Sequence, residues 1–233
     1  FGDILLARCE QDGSLYAMKR MILEPPESKG LDRRTYMSLI KQEVKALTAN
    51  AMSANNHFLL ALKTWLVADG YIYIVTDFFN GGDLADLRET FPDFRLPEHM
   101  VQFYCAEMAT AIGFVHKQGM LHCDIKLENF LISCDGHIVL CDFGMVTWNT
   151  SMAVYGGTYE FMAPERLLER DDFGTASDWW SLAICVHILL FGKHPMWYDE
   201  LSREENIDNI IRNQITVERV DYVCNHYAYT FLN

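Results

Sequence analysis

The chain has 233 residues, half of them hydrophobic and 13% aromatic, which is typical of a folded globular protein and excludes a disordered one. Its 19 basic and 32 acidic residues give a formal net charge of −13, which argues against nucleic acid or an anionic membrane surface as the main partner. Seven scattered cysteines without metal-ligand spacing indicate reduced thiols, and no apolar run approaches the ~20 residues of a membrane span. We therefore expect no direct membrane insertion and an intracellular protein, in the cytoplasm with the nucleus left open.

The first 79 residues predict an antiparallel sheet with one helix. Alternating apolar and polar residues, bounded by turn residues, predict strands in the segments DILLARC, LYAMKRMI, FLLALKTWLVAD and YIYIVTDFF. Between the second and third of these segments, residues 32–52 carry apolar side chains at helical spacing. That spacing predicts the single helix of this region.

After residue 80 the pattern becomes mainly helical, beyond a joint that the segment NGGDL at 80–84 predicts to be flexible. The segment PEHMVQFYCAEMATAIGFVHKQG predicts an amphipathic helix that Gly119 caps, and ASDWWSLAICVHILLFG predicts a buried helix. Two short strands are predicted in NFLIS and HIVLCD. The fold class is therefore α+β, with a small sheet-rich lobe at 1–79 and a larger helical lobe at 80–233. A cleft between two lobes is a preferred place for a ligand.

A polar constellation surrounds the two short strands of the second lobe. The segment HCDIKLENFL brings Asp124, Lys126 and Asn129 close together in the sequence, and Asp142 ends the strand HIVLCD. Carboxylate and amide oxygens beside a lysine suit a magnesium-bound phosphate. Phosphoryl transfer needs a group that orients the nucleophile, metal ligands for the phosphates and positive charge on the transferred group. These residues therefore predict phosphoryl-transfer chemistry.

The motifs resemble, in the same order and over essentially the whole chain, those of the eukaryotic protein kinase domain. The matching segments are YAMK, IKQEVKAL, HCDIKLEN, DFG, MAPE and SDWWSLA. The resemblance implies a two-lobed protein kinase-like fold, with an antiparallel-sheet N-lobe at 1–79 and a mainly helical C-lobe at 80–233. Because Phe1-Gly2 resembles the last glycine of the glycine-rich loop and the residue before it, the resemblance also implies an N-lobe incomplete at its start. Because Leu232-Asn233 comes before the final helices of the family, it implies a C-lobe incomplete at its end, with divergence of the ends as the alternative.

The resemblance is closest to serine/threonine kinases. Lys126, two residues after Asp124, and Thr158 in GGTYEF both resemble that type. Within it, the segments NGGDL, DGHIVLCDFG and GTYEFMAPE most resemble the AGC group, the relatives of protein kinase A.

The resemblance implies catalytic roles for four residues and a supporting role for a fifth. Asp124 is expected to orient the substrate hydroxyl or accept its proton, and Lys126 to neutralise charge on the γ-phosphate. Lys19 is expected to hold the α- and β-phosphates and to pair with Glu43 on the helix. The alternative for Glu43 is an exposed helix glutamate. Asp178 in the buried helix is expected to brace the loop that carries Asp124.

The resemblance implies ATP and Mg²⁺ as cofactors. Asn129 and Asp142 are the expected magnesium ligands, and Lys19 holds phosphates. The remaining expected nucleotide contacts are Ile4, Ala17, Asp77, Phe79, Asp83 and Leu131. Asp83 has an open alternative, because an aspartate at its position also caps the helix that follows.

Two further residues near these motifs have predicted structural roles. His122 is expected to pack near Phe143 rather than to act as a base. Cys141 is expected to line the nucleotide pocket as a buried, inert thiol, with a reactive thiol as the open alternative.

Cys123 departs from the family pattern, because most kinases carry an arginine at this position. In the family that arginine binds a phosphate on the activation loop and so orders the loop. A thiol cannot replace the bidentate guanidinium. Val154, four residues before Thr158, stands where AGC kinases usually carry the phosphorylated threonine. Both the threonine that would carry the phosphate and the arginine that would bind it are therefore missing.

This double departure predicts a kinase that does not use the phosphate switch. We expect packing through Trp148, Val154 and Tyr155 to hold the loop instead. A shifted phosphorylation site at Thr150, Ser151 or Tyr155 is the open alternative.

The resemblance as a whole predicts a serine/threonine protein kinase that transfers the γ-phosphoryl group of Mg-ATP to protein hydroxyls. The alternative is a pseudokinase or nucleotide-binding scaffold module, and retention of Lys19, Asp124, Asn129 and Asp142 argues against it. Asp83 and Glu128 stand near where AGC kinases receive basic side chains, so the resemblance implies a protein substrate with basic residues upstream of its target. The sequence does not identify regulatory partners.

Overall fold

The structure is a computed structural model of the chain, and it describes residues 2–25, 30–53, 57–148, 156–170 and 173–212. Four strands of the first lobe form one antiparallel sheet in the order β1-β2-β4-β3. They are β1 (Asp3–Arg8), β2 (Leu15–Ile22), β3 (Leu62–Ala68) and β4 (Tyr71–Asp77). The sheet predicted for this region is therefore confirmed.

One long helix, α1 (Arg33–Met52), packs beside this sheet. It begins at Asp32, whose carboxylate accepts hydrogen bonds from the backbone N–H groups of Arg34 (2.8 Å) and Thr35 (3.0 Å). These bonds satisfy two of the backbone donors that a helix leaves unpaired at its start. The buried face of α1 is formed by Tyr36, Ile40, Glu43, Ala46, Leu47 and Asn50. Glu43 is thus buried, and the alternative of an exposed helix glutamate is wrong.

The described part of the second lobe is mainly helical. Its helices are α2 (Leu84–Glu89), α3 (Glu98–Lys117), α4 (Pro164–Leu167), α5 (Thr175–Phe191) and α6 (Arg203–Arg212). Two short strands, β5 (Phe130–Ile132) and β6 (Ile138–Leu140), pair in an antiparallel hairpin. Most of α5 is buried and α3 packs against it, so these two predicted helices form the centre of this lobe.

The segment before β3 was predicted as strand from residue 58, but the strand starts four residues later. The residues in between bond to the second lobe instead. Leu140 donates a backbone hydrogen bond to Phe58 (2.8 Å), and Leu60 donates one to Leu140 (2.8 Å). Local alternation of apolar residues cannot reveal this, because the partner strand lies 80 residues further along the chain. The apolar run therefore links the two lobes.

The joint predicted to be flexible is bonded to β5. Gly81 donates to the carbonyl of Ile132 (3.2 Å), and Ile132 donates to the carbonyl of Gly82 (2.9 Å). A Cβ atom on Gly81 would lie 2.5 Å from the Ile132 oxygen, closer than the two atoms can approach. Glycine at position 81 thus allows the joint to lie directly against β5.

Two further observations concern the helices and the cysteines of the described ranges. None of the helices in the described ranges combines the length and the apolar character that crossing a bilayer requires. The six cysteines in those ranges are not joined in disulfides.

We expect the Gly81→Ala substitution to lower the free energy of unfolding by about 1–3 kcal/mol, because the added methyl group overlaps the Ile132 carbonyl. Gly113→Ala is the matched control, since a Cβ at that position in α3 meets no atom within 4 Å. It should raise stability by about 0.5–1 kcal/mol, through helix propensity. Urea unfolding measures both, and equal effects of the two substitutions would contradict the close approach at the joint.

Candidate nucleotide-binding and catalytic site

A cavity of about 380 Å³ lies between the sheet of the first lobe and the hairpin β5–β6 of the second. All but one of the residues predicted to contact the nucleotide line it: Ile4, Ala17, Lys19, Asp77, Phe79, Asn129, Leu131 and Asp142. Its volume is that of a site for a small organic molecule. The structure thus brings these predicted residues together around one space.

The sheet supplies one apolar wall of the cavity and β5 supplies the opposite one. Ile4 on β1 and Ala17 on β2 line it from the first lobe, and Leu131 on β5 lines it from the second. Thr76 and Phe78, at the end of β4 and just after it, also belong to the lining. Two opposed apolar walls suit a flat ring system.

Lys19 connects both lobes at one end of the cavity. It lies on β2, where its Cα is paired with Ile4 of β1 and Ile74 of β4. Its ammonium lies 2.6 Å from Oε1 of Glu43 and 3.2 Å from Oδ1 of Asp142. Burial alone would lower the pKa of Lys19, but the two carboxylates outweigh burial and raise the pKa above its ordinary value. Lys19 is therefore a fixed positive charge, and its predicted contact with Glu43 is present.

Asp142 lies two residues after the end of β6, and its backbone adopts a left-handed conformation with φ 55°. This conformation is uncommon for a residue other than glycine and marks a backbone under local constraint. Burial would raise the pKa of Asp142, but the Lys19 ammonium and the backbone N–H of Gly144 lower it below its ordinary value. Asp142 is thus ionised at neutral pH and lines the cavity.

The loop of residues 122–129, here called the catalytic loop, brings three predicted residues together. Oδ1 of Asp124 accepts hydrogen bonds from the backbone N–H (2.9 Å) and the hydroxyl (3.0 Å) of Thr158. Lys126 donates to the same hydroxyl (3.1 Å) and lies 3.6 Å from Oδ2 of Asp124. Asn129 donates its amide N–H to the Asp124 carbonyl (2.7 Å). Carboxylate, ammonium and amide therefore share one small volume.

Asp178 on α5 holds this loop by its backbone, as predicted. Its side chain is 1% exposed, and it accepts hydrogen bonds from the backbone N–H groups of His122 (2.9 Å) and Cys123 (2.9 Å). His116 on α3 makes a third contact at 2.8 Å, which the sequence did not reveal. Burial would raise the pKa of Asp178, but these donors lower it below its ordinary value. The carboxylate is thus charged, buried and fully engaged.

His122 packs its ring against Phe143, with the ring centres 5.2 Å apart in an edge-to-face arrangement. Its Nε2 also lies 3.0 Å from the backbone oxygen of Cys141. The predicted structural role of His122 is therefore confirmed by its contacts.

Cys123 is 2% exposed and lies in a small apolar cluster with Leu121 and Phe173, against which Met145 packs. Burial raises the pKa of its thiol to about 12, so the thiol is neutral at physiological pH. Its backbone has φ 66°, again in the left-handed region. The position that holds an arginine in most kinases thus holds a small apolar side chain here.

Cys141 lines the cavity, as predicted, and burial raises the pKa of its thiol well above the ordinary value. A protonated thiol is a poor nucleophile. These facts favour the inert-thiol interpretation over the reactive one.

Asp83 is the predicted nucleotide contact that does not line the cavity. Its Oδ1 accepts a hydrogen bond from the backbone N–H of Asp86 (2.9 Å), so it caps α2. Its backbone forms a bridge with Leu131, which does line the cavity. The cap is the alternative role that the sequence left open, and contact with a ribose stays a prediction.

The site can be tested for fit to Mg²⁺ by its donor set. No group of three or more His, Cys, Asp or Glu side chains in the described ranges is suited to hold a metal ion by itself. Asp142 offers a carboxylate, and Asn129 offers an amide oxygen because its amide nitrogen is bonded to Asp124. Mg²⁺ is usually bound through one or two carboxylates together with substrate phosphates and water. The two residues therefore fit a magnesium ion that arrives with a nucleotide.

We expect Asp178→Asn to lower the free energy of unfolding by about 2–4 kcal/mol, because the new NH₂ group faces backbone donors in a buried site. The difference in free energy of unfolding between wild type and Asp178→Asn should be full above pH 3.8, the ordinary pKa of an aspartate. It should shrink as the pH falls through the lower pKa that Asp178 has in the folded state. Urea unfolding at several pH values measures it. Asp69→Asn, in an exposed turn, is the control and should change little. Equal stability of both variants would contradict the bracing role.

Comparison with known proteins identifies the family. The description "Protein kinase domain" matches residues 1–231. The human serine/threonine-protein kinase MRCK alpha is 34% identical over 86% of this chain and 12% of its own length. The human serine/threonine-protein kinase Sgk2 is 31% identical over 93% of this chain and 57% of its own length, and mouse MRCK gamma is 33% identical over 86% and 13%.

The chain therefore spans just over half the length of Sgk2 and about an eighth of the MRCK kinases. Both kinds of relative are kinases of the AGC group, so the predicted resemblance to that group is confirmed. The order of motifs, the sheet-and-helix architecture and these matches agree. The chain belongs to the protein kinase domain family, with serine/threonine kinases of the AGC group among its relatives.

Proposed function

We propose that the chain is the catalytic domain of a serine/threonine protein kinase, which transfers the γ-phosphoryl group of Mg-ATP to serine and threonine hydroxyls of proteins. The observation that carries the proposal is that Lys19, Asp142 and Asn129 line one cavity, and that Asp124 is hydrogen-bonded to Asn129. Membership of the protein kinase family supports the same function. Phosphoryl transfer depends mainly on positioning and charge stabilisation, and these residues supply both.

Each residue has a role in this proposal that follows from its contacts. Lys19, held between Glu43 and Asp142, is a fixed cation that binds the α- and β-phosphates. Asp142 and Asn129 would hold Mg²⁺, which would supply charge neutralisation for the phosphates. Ile4, Ala17 and Leu131 pack on the two faces of the adenine.

Asp124 orients the attacking hydroxyl and accepts its proton. The Asn129 amide and the Thr158 hydroxyl fix its position, and Lys126 beside it adds positive charge for the γ-phosphoryl group. Oδ1 of Asp124 accepts two hydrogen bonds from Thr158, whereas Oδ2 has only longer contacts, 3.3 Å to Nδ2 of Asn129 and 3.6 Å to Nζ of Lys126. Oδ2 is therefore the oxygen that receives a substrate hydroxyl in this proposal. A serine or threonine substrate delivers its hydroxyl there.

The proposed protein substrate carries basic residues upstream of its target. The carboxylate of Glu128, in the catalytic loop, lies close enough to those of Glu160 and Asp199 to interact with them electrostatically. Burial and the other two carboxylates raise the pKa of Glu160 and outweigh the Lys126 ammonium, which lowers it, so a further cation near Glu160 would be stabilised. An Arg or Lys side chain of a bound peptide supplies that cation.

We further propose that the activation segment, residues 142–165, is held without a phosphate. Cys123 offers no guanidinium for one. Instead, the ammonium of Lys45 on α1 lies 4.0 Å from the ring centre of Trp148, near the start of the segment. Such a cation–π contact is worth about 0.5–2 kcal/mol. Because the same helix carries Glu43, this contact joins the segment to the Lys19–Glu43 pair.

Several residues of this second proposal lie outside the described residues. They are Val154 and Tyr155, which were predicted to pack, and the alternative phosphorylation sites Thr150, Ser151 and Tyr155. Trp148 and Lys45 are therefore the contacts on which the proposal rests.

The first experiment is a kinase assay with Mg-ATP and a degenerate Ser/Thr peptide library. We expect transfer to serine or threonine, with Arg or Lys selected upstream of the target. Asp124→Asn should lower kcat by about 10²–10⁴-fold, because its side chain is a much weaker proton acceptor.

Two outcomes of that assay would change the interpretation. Nucleotide binding by folded protein without transfer would favour the scaffold alternative. Transfer that survives Asp124→Asn would remove Asp124 from its proposed role. The Asp69→Asn variant serves as the control for a carboxylate far from the site.

Phosphate independence predicts that treatment with a protein phosphatase leaves the rate unchanged, as measured beside the intact mass of the protein. Lys45→Met should lower the rate, because the methionine keeps the length of the side chain but loses the charge above Trp148. Lys41→Met, also on α1, is the control. The proposal would be overturned if Thr150, Ser151 or Tyr155 carried stoichiometric phosphate and activity required it.

A further inference from the structure

We propose that Arg166 is a positioning residue that joins the catalytic loop to the activation segment, and so supplies a guanidinium that position 123 lacks. The inference deepens the proposed kinase function and rests on it. Arg166 lies on α4, directly after the MAPE motif, and none of the roles inferred from the sequence involves it.

The guanidinium bridges two backbone carbonyls. Its Nη1 donates to the oxygen of Cys123 (2.5 Å), and its Nη2 donates to the oxygen of Gly156 (3.0 Å). The first carbonyl belongs to the catalytic loop and the second to the activation segment. Hydrogen bonds from a charged donor are shorter and stronger than neutral ones, and a planar guanidinium can serve two acceptors at once. One side chain therefore fixes the distance between the two segments.

The small side chain at position 123 makes room for this arrangement. The thiol of Cys123 packs in a cluster with Leu121 and Phe173. The guanidinium carbon of Arg166 lies 5.8 Å from the ring centre of Phe173, within the range of a cation–π contact. A long charged side chain at position 123 would have to displace this cluster. Cys123, Phe173 and Arg166 thus form one packed unit.

The contact matters for catalysis because of what it does to the backbone before Asp124. Cys123 has a left-handed φ of 66°, a conformation that a residue with a Cβ adopts only when its surroundings impose it. Its N–H is held by the carboxylate of Asp178, and its C=O is held by Arg166. An anion on one side and a cation on the other therefore fix the peptide groups that flank Cys123. Asp124 follows directly, so its direction depends on both.

Thr158 extends the connection from the other segment. Gly156, the second acceptor of Arg166, lies two residues before Thr158, whose backbone N–H and hydroxyl both donate to Asp124. Loss of the Arg166 bridge would weaken the restraint on Asp124 from the backbone of Cys123 and from the hydrogen bonds of Thr158. A residue that only stabilises the fold would not have this selective effect.

The test compares Arg166→Met and Arg166→Lys with Arg33→Met in the full chain, using Mg-ATP and a peptide substrate. Arg33 is the matched control because its guanidinium is exposed and pairs with Glu24 on the surface (2.9 Å). We expect Arg166→Met to lower kcat by about 10–100-fold, as the loss of two charge-assisted hydrogen bonds implies. The KM for ATP should stay unchanged, because the cavity lining is intact. Arg166→Lys should be intermediate, since an ammonium lacks the planar fork.

Hydrogen exchange separates failure of this inference from failure of the proposed function. Peptides spanning residues 121–126 and 156–161 should exchange faster in Arg166→Met than in Arg33→Met, at matched global stability. If the wild-type chain transfers no phosphate, the proposed function fails, and the exchange comparison still decides the role of Arg166. Wild-type exchange in folded Arg166→Met, or full activity in Arg166→Met or Arg166→Lys, would overturn the inference.

Discussion

The buried carboxylate of Asp178 is the interaction on which the geometry of the site depends. A charge at 1% exposure is costly unless donors surround it, and Asp178 has two backbone N–H groups and His116. Both backbone donors belong to the catalytic loop, whereas the carboxylate belongs to the most buried helix of the lobe. The loop is therefore attached to the core by its main chain, which leaves the side chains of Asp124 and Asn129 available for chemistry.

Lys19 connects the two lobes, just as Asp178 connects the catalytic loop to the core. Its ammonium joins β2 and α1 of the first lobe to Asp142 of the second. Because the contact with Asp142 crosses the cavity, it is strongest when the lobes and α1 keep their present arrangement. Lys45 on the same helix contacts Trp148 and adds a second connection from α1 to the activation segment. Two cations on neighbouring elements thus hold the parts of the site together.

Sequence patterns predicted the sheet, α1, α3 and α5, because their apolar periodicity reflects burial. The polar helix α6 and the very short α4 were missed, since few of their residues are buried. The short helix α2 was expected only as the helix that Asp83 could cap. The Lys19–Glu43 pair followed from the family resemblance, because no local pattern connects residues 24 positions apart.

Two of the contacts that sequence reasoning missed involve backbone groups. The link between Leu60 and Leu140 and the bonds of Arg166 to carbonyls use atoms that every residue has, so residue identity gives no signal. Asp83 shows the opposite problem. Its residue type suits both a helix cap and a ribose contact, and only the geometry reveals the cap.

The exchange of arginine for Cys123 changes how the activation segment can be controlled. A guanidinium that waits for a phosphate stabilises the segment only after modification, because its partner charge is absent before that. Backbone carbonyls, such as those of Cys123 and Gly156, are always present. In the arrangement proposed for Arg166, the segment is therefore held by an interaction whose strength does not depend on phosphorylation. A guanidinium still orders the activation segment, but it does so without a requirement for phosphorylation.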